Sequence, residues 1–283
     1  MRSCPIFPAD NIWNRAIASL PVDPHSSQYL ASIGLSGHLH PDFGSNPTYG
    51  IPYVVVQRQA LVPVRFDYAD ESDPGPYPIP PNAPIEGGAT SSGDRHVLVL
   101  ASDTCTLYEL YGAYPQADGS WHAGSGARWQ LTSNALRPAT WTSADAAGLP
   151  ILPGLVRYDE VASGAIRHAL RFTVAHTQNT FIWPARHQAG TSGSAFPPMG
   201  LRLRLKASFV ITNFPSQDQV ILAALQRYGM IVADNGSNWY ISGAADRRWN
   251  DDILNQLKTV PGSAFEVVDE SALQVAPNSG QAH

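Results

Sequence analysis

Glycine and proline interrupt this chain so often that little room is left for long helices. The 23 glycines and 24 prolines, roughly a sixth of the 283 residues, are scattered without a collagen-like period. They read as turns between many short strands. Strand-like runs fall at residues 51–57, 61–68, 96–101, 106–112, 155–160, 166–174, 180–184 and 200–211, separated by Pro- and Gly-rich connectors, most clearly 73–88. The pattern predicts a mainly β fold, an antiparallel β-sandwich or jelly roll.

The carboxyl-terminal quarter changes period. Ser216-Gln217-Asp218-Gln219 has the form of a capping box, opening a helix that runs to Tyr228 and stops at Gly229. Asp234-Asn235-Gly236-Ser237 predicts a tight hairpin turn between strands 230–233 and 238–242, because Asn-Gly tolerates positive φ. A second helix is expected over 246–258, and a short one over 27–33. No repeat or linker divides the chain. One domain is therefore expected over 1–283, with an arm and loops at 1–50, the β-sandwich body at 51–212 and a small α+β helix-hairpin-helix segment at 213–270 packed on it.

With 43% apolar residues there is ample material for one core, while the 14% charged fraction is well below the ~25% of typical soluble domains. A net charge of -5, from 18 basic and 23 acidic residues, offers no basic footprint for a nucleic-acid partner. No run approaches the ~18 apolar residues of a membrane span, so no membrane partner is expected, and the protein is expected to act as a monomer. Cys4 and Cys105, the only cysteines, have no CxxC or Cys/His metal context and are expected to pair as a disulfide pinning the arm to the body. That pairing implies secretion, with any signal peptide already removed.

The densest chemical signal is Glu86 in a Gly-rich loop, then Asp94-Arg95-His96, then a return strand holding Tyr108, Glu109 and Tyr111. Alternation puts Glu109 and Tyr111 on one strand face. Depending on the register of the 101–105 turn, His96 lies opposite Glu109 or Arg95 flanks it diagonally. Either arrangement brings a carboxyl group near a cation, which is how acid and base groups are tuned. Glu109 is the first candidate acid or base, with Asp94 or Glu86 as the second carboxylate that glycoside hydrolysis commonly needs, and His96 orienting them. Arg95 and Tyr111 would contact substrate, and Trp121, Trp129 and Trp183 could supply flat platforms for sugar rings. His168 and Arg171, with His176 and His187, could instead bind uronic acids or serve a lyase.

His38 and His40 form an HxH pair beside Asp42, a candidate transition-metal site. Asp67, Asp70, Glu71 and Asp73 offer hard oxygens for a structural Ca²⁺; otherwise no cofactor is expected. Ser143 to Ala147 reads as a capped helical turn with Asp145 in a structural role. No nucleophile elbow, phosphate loop or dinucleotide fingerprint occurs.

Five blocks, PIEGG (84–88), GDRHVLVL (93–100), TSADAAGLPILPGLVRYDEV (142–161), HALRF (168–172) and ADNGSNWYISG (233–243), resemble a family of secreted bacterial β-rich proteins. The likeness runs over most of the chain from about Asn11 and implies a secreted β-rich fold without implying an activity. Taken with the carboxylates and aromatics, the sequence points to a secreted carbohydrate-active enzyme hydrolysing a plant or microbial polysaccharide. The alternatives are a non-catalytic carbohydrate-binding or cell-surface protein, a polysaccharide lyase and a metal-dependent enzyme.

Overall fold

A computed structural model describes residues 4–283, so residues 1–3 of the expected arm lie outside the described residues. In chain order the elements begin with α1 (Ser26–Ile33), β1 (His40–Asp42), β2 (Tyr53–Val56), β3 (Val64–Phe66), β4 (Val97–Ala101) and β5 (Thr106–Tyr111). Next come β6 (Tyr114–Pro115), β7 (Trp121–Ala123), β8 (Ser125–Gln130), α2 (Tyr158–Ala162), β9 (Leu170–Val174) and β10 (Arg202–Leu205). The chain closes with α3 (Ser216–Arg227), β11 (Met230–Asn235), β12 (Tyr240–Ser242), α4 (Asp251–Leu254) and β13 (Phe265–Val267). The fold is mainly β, as its turn-rich sequence predicts.

The strands form a six-stranded sheet in the order β1-β12-β9-β11-β10-β13, a four-stranded sheet β2-β4-β5-β8 and a three-stranded sheet β3-β7-β6. All three are mixed rather than purely antiparallel, since β1 with β12, β9 with β11, β2 with β4 and β3 with β7 run parallel. The four-stranded sheet lies between two cores, which explains why every residue of β4 is buried. Leu98, Leu100 and Leu107 face the large core shared with Leu170 and Phe172 of β9, while Val97 and Val99 face a smaller one with Trp121 and Ala123 of β7. A strand covered on both faces reads as a continuous apolar run, as VLVLA does.

Several sequence expectations are corrected. The six-stranded sheet takes strands from all three expected segments, β1 from the arm region and β11 to β13 from the carboxyl-terminal one. The 230–242 stretch is not a hairpin, because β9 lies between β11 and β12. The connection after Asn235 spans two interstrand spacings, about 10 Å, leaving the central position to the apolar Leu170, Phe172 and Val174. The expected strand 155–160 is replaced by an isolated bridge at Val156 and the start of α2 at Tyr158, and 180–184 contribute only an isolated bridge at Phe181. The second carboxyl-terminal helix is reduced to α4 followed by a 3₁₀ turn, capped by the Asn250 side chain.

Helix α3 stops at Gly229 as expected: φ is +69° there, and a Cβ would meet the Leu203 carbonyl at 2.2 Å. Its start differs, with Pro215 at the cap position and Gln219 donating its amide to the Phe214 carbonyl at 2.7 Å instead of closing a capping box on Ser216. The buried Asp218 has two carboxyl oxygens without a partner, and burial pushes it up from 3.8 to about 7. The folded chain therefore holds a proton that the unfolded chain releases above about pH 4, so this group erodes stability as pH rises from about 4 to about 7. Asp218→Asn is expected to raise stability by about 1–3 kcal/mol at about pH 8 and to match the native chain below about pH 4, read from denaturant unfolding.

Cys4 and Cys105 form the expected disulfide, with Cα atoms 5.3 Å apart. No helix among the described residues is long and apolar enough to cross a membrane.

Candidate functional site

The β4–β5 register decides where the expected acid–base cluster goes. Leu98 lies opposite Glu109, so His96, one residue ahead of β4, falls opposite Tyr111 rather than Glu109. The offset keeps His96, Glu109 and Tyr111 on one face but spreads them along it, from core to rim. Glu109 lands at the core end with 0% exposure. Its carboxylate accepts from the Ile151 and Leu152 amides at 2.8–3.0 Å and from Trp129 Nε1 at 3.1 Å. Burial pushes Glu109 up to about 7 against the pull of those amides. It holds the 150–152 turn against the sheet and cannot reach a solute, so the expectation of a catalytic Glu109 is corrected.

Tyr111, at the rim, is 38% exposed and lines a cleft of about 400 Å³. Asp94, Glu71, Tyr68, Asp145, His187, Asp234 and Asn235 line it with the 142–146 loop. The exposed Asp94 makes no side-chain hydrogen bond or ion pair among the described residues. Burial raises the Tyr111 hydroxyl, and the charges of Asp94, Tyr68 and Asp234 add to the shift.

Asp234 reaches the cleft because of a β-bulge. Val232 pairs with Phe172, but Asp234 rather than Ala233 pairs with Thr173. The extra residue turns Asp234 onto the Arg171/Thr173 face; in an unbroken ladder it would share the core-directed face of Val174. Freed from the ladder, the Ala233 carbonyl accepts from the Ala147 amide at 2.9 Å, docking the 142–149 loop over the sheet. Within that loop the Ser143 hydroxyl accepts from the Asp145 amide at 2.9 Å and donates to the Leu149 carbonyl at 2.6 Å. This side-chain turn replaces the expected helical turn.

Beneath the cleft, Arg171 binds Asp145 with two N–H groups at 2.9 and 3.2 Å and donates to Ser242 at 2.6 Å. Its Nη2 lies 3.6 Å from the Asp234 carboxylate. One guanidinium thus faces two aspartates, and Asp145, fully buried, takes the larger share. Burial raises Asp145, though Arg171 opposes the shift. Asp234 is pushed up to about 7, first by burial and then by the Asp145 charge, with Arg171 only partly offsetting them. Its Oδ1 accepts from the Asn235 amide at 2.7 Å, which leaves Oδ2 beside the guanidinium at the cleft floor.

Glu86 and His96 stand behind the loop. His96 is buried; its Nδ1 lies 2.6 Å from Glu86 and its Nε2 2.9 Å from the Ala144 carbonyl, so both ring nitrogens donate. Burial opposes the charged ring, but the Glu86 charge and hydrogen bond prevail and hold His96 at about 9. The pair positions the loop and does not touch the cleft. A raised imidazole stabilises the fold fully below its unfolded value of 6.5 and loses that contribution as pH rises through about 9. Thermal melting should show this alkaline loss in the native chain and not in His96→Gln, which should be less stable by about 1–3 kcal/mol at neutral pH.

The remaining candidates disperse. Arg95 is buried, with its guanidinium donating to the Ala113, Ala89 and Ser91 carbonyls and lying 4.1 Å from the Tyr114 ring centre, so it is not free for substrate. Trp121 and Trp129 are buried, and Trp183 is half-buried beside another cavity with its Nε1 on the Ser279 carbonyl, so none is an open sugar platform. His168 is buried between Arg157 and Glu160, away from the cleft lining. His187 keeps a place in the wall, its Nδ1 donating to the Ala146 carbonyl at 2.8 Å.

Neither proposed ion site assembles. His40 stacks on Tyr240 at 3.9 Å and meets the Tyr49 hydroxyl at 2.9 Å, whereas His38 is exposed, and Asp42 ends β1. Asp67 pairs with His122, Asp73 with Arg137, and Glu71 accepts from the Thr142 amide. Among the described residues no three His, Cys, Asp or Glu side chains converge to hold a metal.

Glu86, Asp94, His96, Asp145, Arg171 and Asp234 come from the five sequence blocks quoted above; three of those blocks line the cleft, while Arg171 lies beneath it and Glu86 behind its wall. Sequence reasoning singled out Asp94, Tyr111 and Arg171 and took Asp234 for a turn former; its structural reading of Asp145 agrees with the burial of that residue and its pairing with Arg171. No family model matches the chain, and no curated protein or solved structure matches it either.

Proposed function

We propose that this protein is a secreted carbohydrate-active enzyme that hydrolyses glycosidic bonds in the cleft between Asp94 and Asp234. The reading rests on one observation: an open cavity of about 400 Å³ holds a carboxyl group pushed up to about 7, Asp234, together with an unpartnered carboxyl group, Asp94. A carboxylic acid that keeps its proton near neutrality can donate it to a glycosidic oxygen as the C–O bond breaks. The second carboxylate then takes the proton of the attacking water or attacks the anomeric carbon itself. Tyr68 and Tyr111, 55% and 38% exposed, offer ring faces with polar edges at the rim. The disulfide fits an oxidising, extracellular setting.

The test is a reducing-end assay on a broad polysaccharide panel, with absorbance for unsaturated uronates followed in parallel. New reducing ends without that absorbance are expected, and the product anomer would report inversion or retention. Ultraviolet-absorbing products, or retention on a glycan with no new ends, would replace hydrolysis by a lyase or a binding module.

A further inference from the structure

We infer that the cleft selects glycans bearing free amino groups, the chemistry of deacetylated hexosamine units, and disfavours polyuronates. The inference rests on the reading of the cleft as a saccharide site and adds the charge class of its substrate. Glu71 and Asp94, neither paired with a cation among the described residues, line the cavity beside Asp234 and the Arg171-bound Asp145, and no lysine or arginine lines it. The guanidinium groups behind its walls are committed: Arg171 is buried and bound to Asp145 and Ser242, and Arg137, also buried, is bound to Asp73 and to the Thr142 and Glu71 carbonyls, so neither has anything to offer a uronate. His96, the neighbouring imidazolium, is likewise spent on Glu86 and the Ala144 carbonyl.

Hydrolysis needs two carboxylates, which leaves Glu71 surplus to the chemistry. One of its oxygens accepts from the Thr142 amide at 2.9 Å, fixing the side chain against the cleft wall. The exposed faces of Tyr68 and Tyr111 beside these carboxylates complete a cation-binding surface, since an ammonium is attracted by both aromatic faces and carboxylates. A polyuronate would place its own carboxylates against this lining and be repelled.

The test is calorimetric binding of a glucosamine oligosaccharide, its N-acetylated counterpart and an oligouronate of equal length, in weakly acidic buffer at low and high salt. At low salt the free-amine ligand should bind at least about tenfold more tightly than the acetylated one, the advantage should shrink at high salt, and the uronate should bind weakest. Glu71→Gln should narrow the amine preference severalfold. Equal or tighter binding of the acetylated ligand or the uronate, or binding of none of the three, overturns the inference. Because the readout is binding, it separates from the hydrolytic reading: a neutral glycan cleaved without amine preference would sink the substrate class alone. Amine-selective binding without cleavage of any glycan would sink hydrolysis alone.

Discussion

Asp234→Asn is expected to lower kcat for glycan hydrolysis by about 10²- to 10⁴-fold, the usual contribution of a positioned acid or base. The substitution keeps the shape and the hydrogen bond from the Asn235 amide but removes the transferable proton. It should not unfold the protein. A carboxyl group raised from 3.8 to about 7 favours the unfolded state as pH climbs from about 4 to about 7, so the variant should melt at or above the native temperature at neutral pH. The same shift sets the sign of the native pH profile: an acid must carry its proton, so activity falls as pH rises through about 7. Full activity in Asp234→Asn, or a profile rising through neutrality, would remove Asp234 from the acid role.

Reducing the Cys4–Cys105 bond, or replacing both residues by serine, is expected to cost up to about 4–5 kcal/mol of stability. The bond closes a loop of 101 residues, and the chain-entropy cost of opening such a loop is of that order. Guanidinium unfolding with and without a reductant measures it, with the midpoint shifting and the reduced unfolded state more expanded. A midpoint moved by less than about 1 kcal/mol equivalent would mean that the rest of the amino-terminal region holds the arm in place without the bond. The Ile12 and Trp13 side chains, buried in the large core, are where such anchoring would reside.

The two corrections to the expected site have one physical origin. Glu109 lies on a strand that alternation identifies and Asp234 at the end of one, but a strand's period places side chains only relative to one another. Which of them faces a cavity depends on register and on what is stacked above. For β5 the register put Tyr111 rather than Glu109 at the rim; for β11 a single bulged residue, Ala233, moved Asp234 from the core-directed face to the cleft. A bulge has no residue signature in this stretch, where alanine is followed by the Asp-Asn-Gly that reads as a turn.

What the sequence by itself determined was local or entropic, and only part of that. The scatter of glycine and proline dictated short strands and a mainly β fold, Gly229 ended α3, and two lone cysteines had only each other to pair with. It also singled out Asp94 and Tyr111, which line the cleft, and Arg171, which lies beneath it. Tertiary structure alone decided that the sheets are mixed, that β9 passes between β11 and β12, and that Glu109 is sealed while Asp234 is open. Parallel pairing joins segments distant in the chain, as when Asp42 meets Ser242, and no local pattern encodes such a partner. The perturbed carboxyls follow from the same closure, because a charge is costly only once the surrounding chain has taken its water away.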